Sequence, residues 1–154
     1  MLKIFWEIKN GTNWFFIRTK LNTSNKLNKL ICSLFLTIFN GRNFYIGSNA
    51  KIEGEPVFPH GLNGVFISNG AVIGKGARIY HQVTIGSNNI KNSKGYGAPI
   101  IGDNCYIGVG AKIIGAVKIG ENVTIGANSV VVKDIPDNCT VVGIPAKIIK
   151  TNNI

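Results

Sequence analysis

From Ile46 onward an aliphatic residue recurs every six positions, and this period constrains the fold more than any other feature of the chain. The in-phase residues are Ile46 and Ile52, then Ile67, Ile73, Ile79 and Ile85, then Ile101, Ile107, Ile113, Ile119, Ile125 and Val131. A glycine follows several of them directly, at positions 47, 74, 86, 102, 108, 120 and 126. A helix would show a period of about 3.6 and a flat strand a period of about two, so neither alone explains the pattern.

A period of six is typical of a solenoid in which short parallel strands are joined by tight turns. The aliphatic side chain of each hexad would point inward and stack on that of the next coil. Glycine would supply turns where a side chain would clash or where φ must be positive. The composition fits a packed domain, because 45% of the 154 residues are hydrophobic and only 16% are charged. We therefore predict an all-β solenoid with one hydrophobic core.

The [Ile/Val]-Gly-X-X-small-X hexads resemble those of the hexapeptide-repeat acyltransferases, and the Gly-Ile-Pro-Ala-Lys run at 143–147 resembles the signature that closes their domain. The resemblance covers residues 45–150 and implies a left-handed parallel β-helix with three hexads per coil. It also implies a homotrimer with active sites between neighbouring subunits, and acetyl-CoA as co-substrate. We expect an N-terminal basic, partly helical segment at 1–44, the β-helix acyltransferase domain at 45–150, and a tail at 151–154.

The period breaks at two places, and insertions in a solenoid become loops on one face. The step from Phe58 to Ile67 is nine residues rather than six, and His60 lies within it. The step from Ile85 to Ile101 is sixteen residues, against twelve for two regular hexads. The polar segment 87–99 inside this second step is predicted to form a protruding loop.

Three stretches resemble the serine acetyltransferase-like branch of these enzymes: Pro59-His60 with the residues that follow it, residues 70–74 and residues 81–86. In that branch the histidine at the position of His60 is the general base that takes the acceptor's hydroxyl proton. The residue type suits this step, because an alcohol is a weak nucleophile and a neutral imidazole accepts a proton at physiological pH. The resemblance therefore implies that His60 is catalytic.

His81 and Glu55 are candidates for support of the acceptor site. His81 lies in a regular hexad, where it is either an ordinary side chain on a prism face or trimer contact, or a group that supports the acceptor. The base also needs a partner that orients it, and Glu53, Glu55 or a backbone carbonyl could serve. Both glutamates could equally be solvated turn residues.

Several positions depart from the serine acetyltransferase pattern. Pro59 stands where an aspartate precedes the histidine, and Tyr45 stands where a partner aspartate lies fifteen positions upstream. Ala98 lies in the stretch that matches an Arg-His-Pro acceptor loop, and only about 45 residues precede the repeat where those enzymes carry a long helical domain. These losses favour transfer of acetyl to a hydroxyl of a sugar or surface polysaccharide. Serine O-acetylation for cysteine biosynthesis is the alternative, and a nonenzymatic β-helix scaffold is a further one.

The resemblance also implies where acetyl-CoA would lie. Small residues at two corners would let the pantetheine arm run along the prism, and lysines near the last coil would meet the CoA phosphates. The residues assigned to these contacts by hexad register are Gly108, Val109, Gly110, Ala127, Asn128, Lys133 and Lys147.

Cysteine and histidine usage argues against disulfides and metal. The cysteines Cys32, Cys105 and Cys139 are odd in number and form no CxxC pair, so a disulfide framework is not expected. Cys105 and Cys139 fall at or near hexad positions, which predicts core thiols. The γ-type carbonic anhydrases share the β-helix but need three histidines around zinc, and this chain has two. We therefore expect no metal requirement.

The N-terminal third is the basic part of the chain. Residues 1–45 hold seven basic residues against one acidic residue, in a chain of net charge +10. Apolar spacing predicts an amphipathic helix over residues 24–39, too short for the roughly 20 residues that a membrane span needs. This helix either covers one end of the domain or lets residues 1–40 lie on an anionic membrane. Nucleic acid is not expected as a partner, because aromatic residues are not interleaved with basic ones in the repeat. We expect a cytoplasmic protein, peripheral to the inner face of the membrane at most.

Overall fold

Short strands follow one another through residues 43–151, the part of the chain that the computed structural model describes. In chain order they are β1 (Tyr45–Ile46), β2 (Lys51–Ile52), β3 (Phe66–Ile67), β4 (Val72–Ile73), β5 (Arg78–Ile79), β6 (Thr84–Gly86), β7 (Ile100–Ile101), β8 (Tyr106–Ile107), β9 (Lys112–Ile114), β10 (Lys118–Ile119), β11 (Thr124–Ile125), β12 (Val130–Val131), β13 (Cys139–Gly143) and β14 (Ala146–Thr151). Within this range no segment is helical, and thus no helix there is long and apolar enough to cross a membrane. The helix predicted over residues 24–39 lies outside the described residues.

The strands form three sheets, which are the three faces of a prism. Face 1 contains β1, β3, β6, β9 and β12, face 2 contains β2, β4, β7 and β10, and face 3 contains β5, β8, β11, β13 and β14. The pairs are parallel except for the terminal hairpin of β13 and β14, which is antiparallel. The chain visits the faces in turn, and a regular coil advances it by 18 residues, as from Phe66 to its partner Thr84. The predicted all-β solenoid is confirmed, and it is the left-handed parallel β-helix that the resemblance implied.

The recurring aliphatic residues form a continuous core. The isoleucines at positions 67, 73, 79, 85, 101, 107, 113 and 125 are at most 1% exposed. Burial of such a side chain stabilises a fold by about 1.5–3 kcal/mol. The small residue four positions later completes each layer, and Cys105 and Cys139 occupy this position and are buried as predicted. The Cys105 thiol donates to the Gly120 carbonyl at 3.1 Å, and burial raises its pKa to about 11.

The glycine after the aliphatic residue is required by the closeness of the coils. A Cβ on Gly102 would lie 2.8 Å from the Gly120 carbonyl of the next coil, which is closer than such contacts ever come. Positive φ falls instead on corner residues such as Asn104, Asn122 and Asn138, whose φ lies between 54° and 58°. Of the two reasons expected for glycine, the clash applies at this position.

The register of the paired strands gives the length of both insertions. Tyr45 pairs with Phe66, so the first coil is 21 residues long and carries the three extra residues expected near His60. Thr84 pairs with Lys112, 28 positions later, so the second insertion adds ten residues to a coil of 18. The sequence analysis assumed two regular hexads, or twelve residues, between Ile85 and Ile101 and so counted only four extra residues. That size was wrong, because only one corner lies between β6 and β7. The loop leaves and rejoins the prism at that corner and adds no strand to a face.

Candidate active site

The corner at which face 3 turns into face 1 collects the predicted catalytic residues, and we name it the histidine edge. Coil by coil it consists of residues 59–64, 80–82, 108–110 and 126–128. Backbone hydrogen bonds join its successive coils. The donors and acceptors are Gln82 N–H and the Asn63 carbonyl (2.8 Å), Gly110 N–H and the His81 carbonyl (3.1 Å), and Asn128 N–H and the Val109 carbonyl (2.8 Å). Residues far apart in sequence are thereby held one above another in a column.

His60 and His81 are in direct contact on this edge. Their Nδ1 atoms lie 2.8 Å apart, and their ring centroids are separated by 4.8 Å at an interplanar angle of 41°. His60 is exposed and His81 is half-buried. The two residues are 21 positions apart, which is the length of the enlarged first coil. The three-residue insertion therefore brings one imidazole above the other, with the two rings in contact through Nδ1.

Tyr80 packs against the same histidine, and sequence reasoning missed it. Its ring meets His60 edge to face, with centroids 5.3 Å apart and an angle of 89°, and it also contacts Tyr106 at 5.1 Å. A side-chain hydrogen bond with Tyr80, and then burial, raise the pKa of the Tyr106 phenol above its usual value. The available signal was the hexad itself, because Tyr80 follows Ile79 at a position where most hexads have glycine.

Two polar side chains fix the backbone around the histidines. The Asn63 Nδ2 group donates to the His60 carbonyl at 3.2 Å and closes the inserted turn. The Lys112 ammonium, one coil further along, donates to the carbonyls of Gln82 and Gly110, both at 2.9 Å. Gln82 follows His81 directly and has a positive φ of 59°, so the ammonium holds a left-handed turn beside that histidine. No sequence signal singled out either side chain.

The glutamates proposed as orienting partners lie at a different corner. Glu53 and Glu55 fall where face 2 turns into face 3, and Val57, which pairs with Arg78, separates them from His60 along the chain. Within residues 43–151 the hydrogen-bond partner of the His60 ring is His81. This contact is therefore not made by either glutamate, because one strand position stands between the two corners of the same chain.

The residues expected to contact acetyl-CoA divide into two groups. Gly108, Val109, Gly110, Ala127 and Asn128 all lie on the histidine edge, in the two coils that follow His81. Because the glycines and the alanine have little or no side chain, a long, thin group could lie along this part of the edge. Gly110 must stay small, because a Cβ there would collide with the side-chain oxygen of Asn128.

The two lysines of that set are placed elsewhere. Lys133 lies at the corner between faces 1 and 2, and Lys147 lies in the terminal strand β14. Among residues 43–151 no three His, Cys, Asp or Glu side chains gather in a way that could hold a metal ion.

The segment 87–99 is a closed hairpin loop. Asn88 and Gly97 exchange backbone hydrogen bonds of 2.8 and 2.9 Å at its base, and the Ser93 hydroxyl donates to the Ile90 carbonyl at 2.7 Å. The loop is tied back to the prism where Ala116 N–H donates to the Gly95 carbonyl at 2.9 Å. It stands at the corner between faces 1 and 2, so the whole width of face 1 separates it from the histidine edge of the same chain.

The repeat and the three-sided prism define a hexapeptide-repeat β-helix. The bacterial transferase hexapeptide family (six repeats) matches residues 98–133. A serine acetyltransferase of Mycobacterium tuberculosis is 40% identical over 115 residues, which are 75% of this chain and 48% of that protein. One of Staphylococcus aureus is 42% identical over 116 residues, 75% of this chain and 52% of that protein. The solved serine acetyltransferase of Neisseria gonorrhoeae superimposes with a TM-score of 0.69 and 33% identity over 90% of this chain and 51% of that one.

The chain is therefore a hexapeptide-repeat protein that is similar to serine acetyltransferases over about 75% of its length. It spans about half the length of the curated relatives that it matches.

Proposed function

We propose that the protein is an acetyl-CoA-dependent O-acetyltransferase in which His60 is the general base. The observation that carries this proposal is the 2.8 Å contact between the two histidines, on an edge whose next two coils carry mainly glycine and alanine. An imidazole held through Nδ1 presents Nε2 outward in one orientation, which is the arrangement that a general base needs.

In the proposed reaction His60 Nε2 takes the proton of the acceptor hydroxyl as the oxygen attacks the acetyl carbonyl carbon. The tetrahedral oxyanion collapses and the carbon–sulfur bond breaks. The His60 imidazolium then returns its proton to the leaving thiolate, so the products are an acetyl ester and the free thiol of CoA. The low part of the histidine edge, around Gly108 to Gly110 and Ala127 to Asn128, would receive the pantetheine arm.

L-Serine is the acceptor that the comparisons favour, since the curated relatives that match are serine acetyltransferases. This differs from the saccharide acceptor expected from the sequence. One observation still supports a sugar hydroxyl as the second candidate. Tyr45 stands where the serine acetyltransferase pattern has an aspartate, and its ring stacks on Phe66 with centroids 4.9 Å apart. A pair of apolar rings can pack on a sugar but supplies no charge for an amino acid's ammonium or carboxylate group.

We also propose that the working unit is a homotrimer in the cytoplasm. In such a trimer the active sites would lie between neighbouring subunits, as the resemblance to hexapeptide-repeat acyltransferases implies. Light scattering of the purified full-length chain should therefore give three times the 16.6 kDa chain mass. The chain mass itself would contradict this part of the proposal and leave the role of His60 untouched.

The acceptor is tested by thiol release from acetyl-CoA with the full-length protein. L-Serine, monosaccharides and oligosaccharides are offered separately, and acceptor-free hydrolysis sets the background. Release with L-serine alone supports the leading proposal, and release with saccharides alone supports the second. Absence of release with every acceptor, together with no heat of CoA binding in calorimetry, would contradict the enzyme proposal and favour a scaffold.

A further inference from the structure

The contact between His60 and His81 allows only one proton between the two rings. Both nitrogens in the 2.8 Å contact are Nδ1 atoms. A neutral imidazole has one N–H donor and one lone-pair acceptor, and the tautomer decides which nitrogen has which role. Two Nδ1–H groups would face each other as donors, and two bare Nδ1 atoms would face each other as acceptors. One ring therefore donates from Nδ1 and the other accepts at Nδ1.

We propose that His81 is the positioning residue of the base: its Nδ1 accepts a hydrogen bond from the Nδ1–H group of His60. This assignment rests on the proposed function, because a base acting through Nε2 must carry its proton on Nδ1. The opposite assignment would put the His60 proton on Nε2 and remove the lone pair that the reaction uses. His81 thus occupies the place that a carboxylate or a carbonyl usually takes beside a functional histidine.

The surroundings of His81 are built to hold it in this position. Its carbonyl accepts from Gly110 N–H at 3.1 Å, and the next residue, Gln82, donates to the Asn63 carbonyl at 2.8 Å. The Lys112 ammonium fixes the Gln82 carbonyl at 2.9 Å. The backbone on both sides of His81 is therefore tied to the coil before it and the coil after it.

His60 is restrained from its own side as well. Asn63 holds the backbone carbonyl of His60 at 3.2 Å, and the Tyr80 ring stands edge-on to the imidazole. Rotation of the His60 ring about its Cβ–Cγ bond would break both the Tyr80 contact and the Nδ1 contact. The pair therefore selects a ring orientation and a tautomer together.

The tautomer can be read directly, because the full-length chain has only two histidines. Long-range ¹H–¹⁵N spectra of ¹⁵N-histidine-labelled protein at about pH 8.5, well above the ordinary histidine range, distinguish protonated from bare ring nitrogens. We expect a proton on Nδ1 of His60 and on Nε2 of His81. A proton on Nε2 of His60 in the wild-type protein would overturn the assignment.

Two variants of His81 distinguish loss of its hydrogen-bond acceptor from loss of its side-chain volume. His81→Asn places an amide oxygen near the Nδ1 site and can still accept, whereas His81→Ala cannot. We expect His60 to keep its tautomer in the first variant and lose the preference in the second. With the acceptor that is turned over, His81→Ala should lower kcat by about 10–100-fold with little change in KM, and His81→Asn should recover most of that loss. The same tautomer and the same kcat in all three proteins would overturn the proposal.

The spectra test the histidine pair and the assay tests the proposed function, so either claim can fail without the other. The expected spectra in a protein without transferase activity would leave the histidine pair standing and remove the proposed function. Transferase activity with unchanged spectra in His81→Ala would do the reverse.

Discussion

The histidine edge and the corner between faces 2 and 3 are both corners of the same prism, yet their side chains differ in what they bond to. We name the second corner the carboxylate edge; it consists of residues 75–76, 103–104, 121–122 and 137–138. Its side chains bond to neighbouring coils. The bonds are Lys75 N–H to Asp103 Oδ1 (2.7 Å), Glu121 N–H to Asp137 Oδ1 (2.8 Å) and Asn122 Nδ2 to Asn138 Oδ1 (3.0 Å).

Backbone groups of successive coils bond to one another on both edges. On the histidine edge, however, the imidazoles of His60 and His81 bond to each other and, within residues 43–151, to no backbone group. Side chains that close backbone hydrogen bonds stabilise the stack, whereas side chains paired outside it are free to act on another molecule. The comparison predicts that substitutions on one edge cost activity and those on the other cost stability.

The largest effect is expected for His60→Ala. Loss of a general base should reduce turnover by at least about 10²-fold, while the thermal midpoint stays near the wild-type value because His60 is exposed. Steady-state assays with the acceptor that is turned over, beside a thermal melt, measure both quantities. Near wild-type turnover would show that His60 is not the general base and that substitutions on the histidine edge need not cost activity.

The second effect concerns Cys105, which lies behind the carboxylate edge. Burial raises its pKa from 9.0 to about 11, with smaller contributions from Asp103, Asp137 and Glu121. Above pH 9 the unfolded chain loses this proton while the folded chain keeps it, so stability falls as the pH rises towards 11. The fall should reach about 2–3 kcal/mol, at roughly 1.36 kcal/mol for each pH unit.

Denaturant unfolding of the wild type and of Cys105→Ala between pH 8 and 11 measures the contribution of this thiol. It is the difference between the two proteins in how steeply the free energy of unfolding falls with pH. The variant should lose less stability over that window, because tyrosines and lysines titrate alike in both proteins. Parallel curves would show that the thiol is not shielded at the carboxylate edge.

A smaller loss is expected for Asp137→Ala on the carboxylate edge. It removes the acceptor for the Glu121 amide and should reduce the free energy of unfolding by about 1 kcal/mol, with turnover unchanged. Asp137→Asn is the matched control, because its amide oxygen can still accept. If Asp137→Ala lowered turnover as His60→Ala does, the two edges would not be separate in function.

The smallest effect is expected for Lys112→Met, which sharpens the comparison. The ammonium bonds to the Gln82 and Gly110 carbonyls, and its loss should cost about 0.5 kcal/mol of stability. Because Gln82 adjoins His81, turnover should also fall, by less than about tenfold. Turnover equal to that of Asp137→Ala would show that the lysine supports the fold alone.

Much of the fold could be predicted because the hexad is a local pattern with a physical cause. Each buried isoleucine and each glycine under a neighbouring coil, such as Gly102, follows from the stacking of flat strands. The size of the second insertion could not be counted in this way. The period shows that strands resume at Ile101 but not on which face, and the pairing of Thr84 with Lys112 decides that.

The site was predictable to a lesser degree. His60 stands out because it interrupts the period, and the small corners at 108–110 and 126–128 follow from the register. Tyr80 was missed, although it breaks the glycine pattern, because a tyrosine directly after a strand is unremarkable by itself. The sequence left the partner of His60 open between two glutamates and a backbone carbonyl, because closeness along the chain says little when a strand position lies between two corners of a prism.

The sequence by itself determined the hexapeptide solenoid, its buried layers, its core thiols and the histidine that interrupts it, since each of these depends on residues within one or two hexads. Only the tertiary structure decided that His60 meets His81 through Nδ1 and that Tyr80 restrains it. The physical reason is that these contacts join successive coils. The length of the first coil brings residues 21 positions apart onto one edge, and the direction of each side chain there is set by the backbone hydrogen bonds that stack the coils.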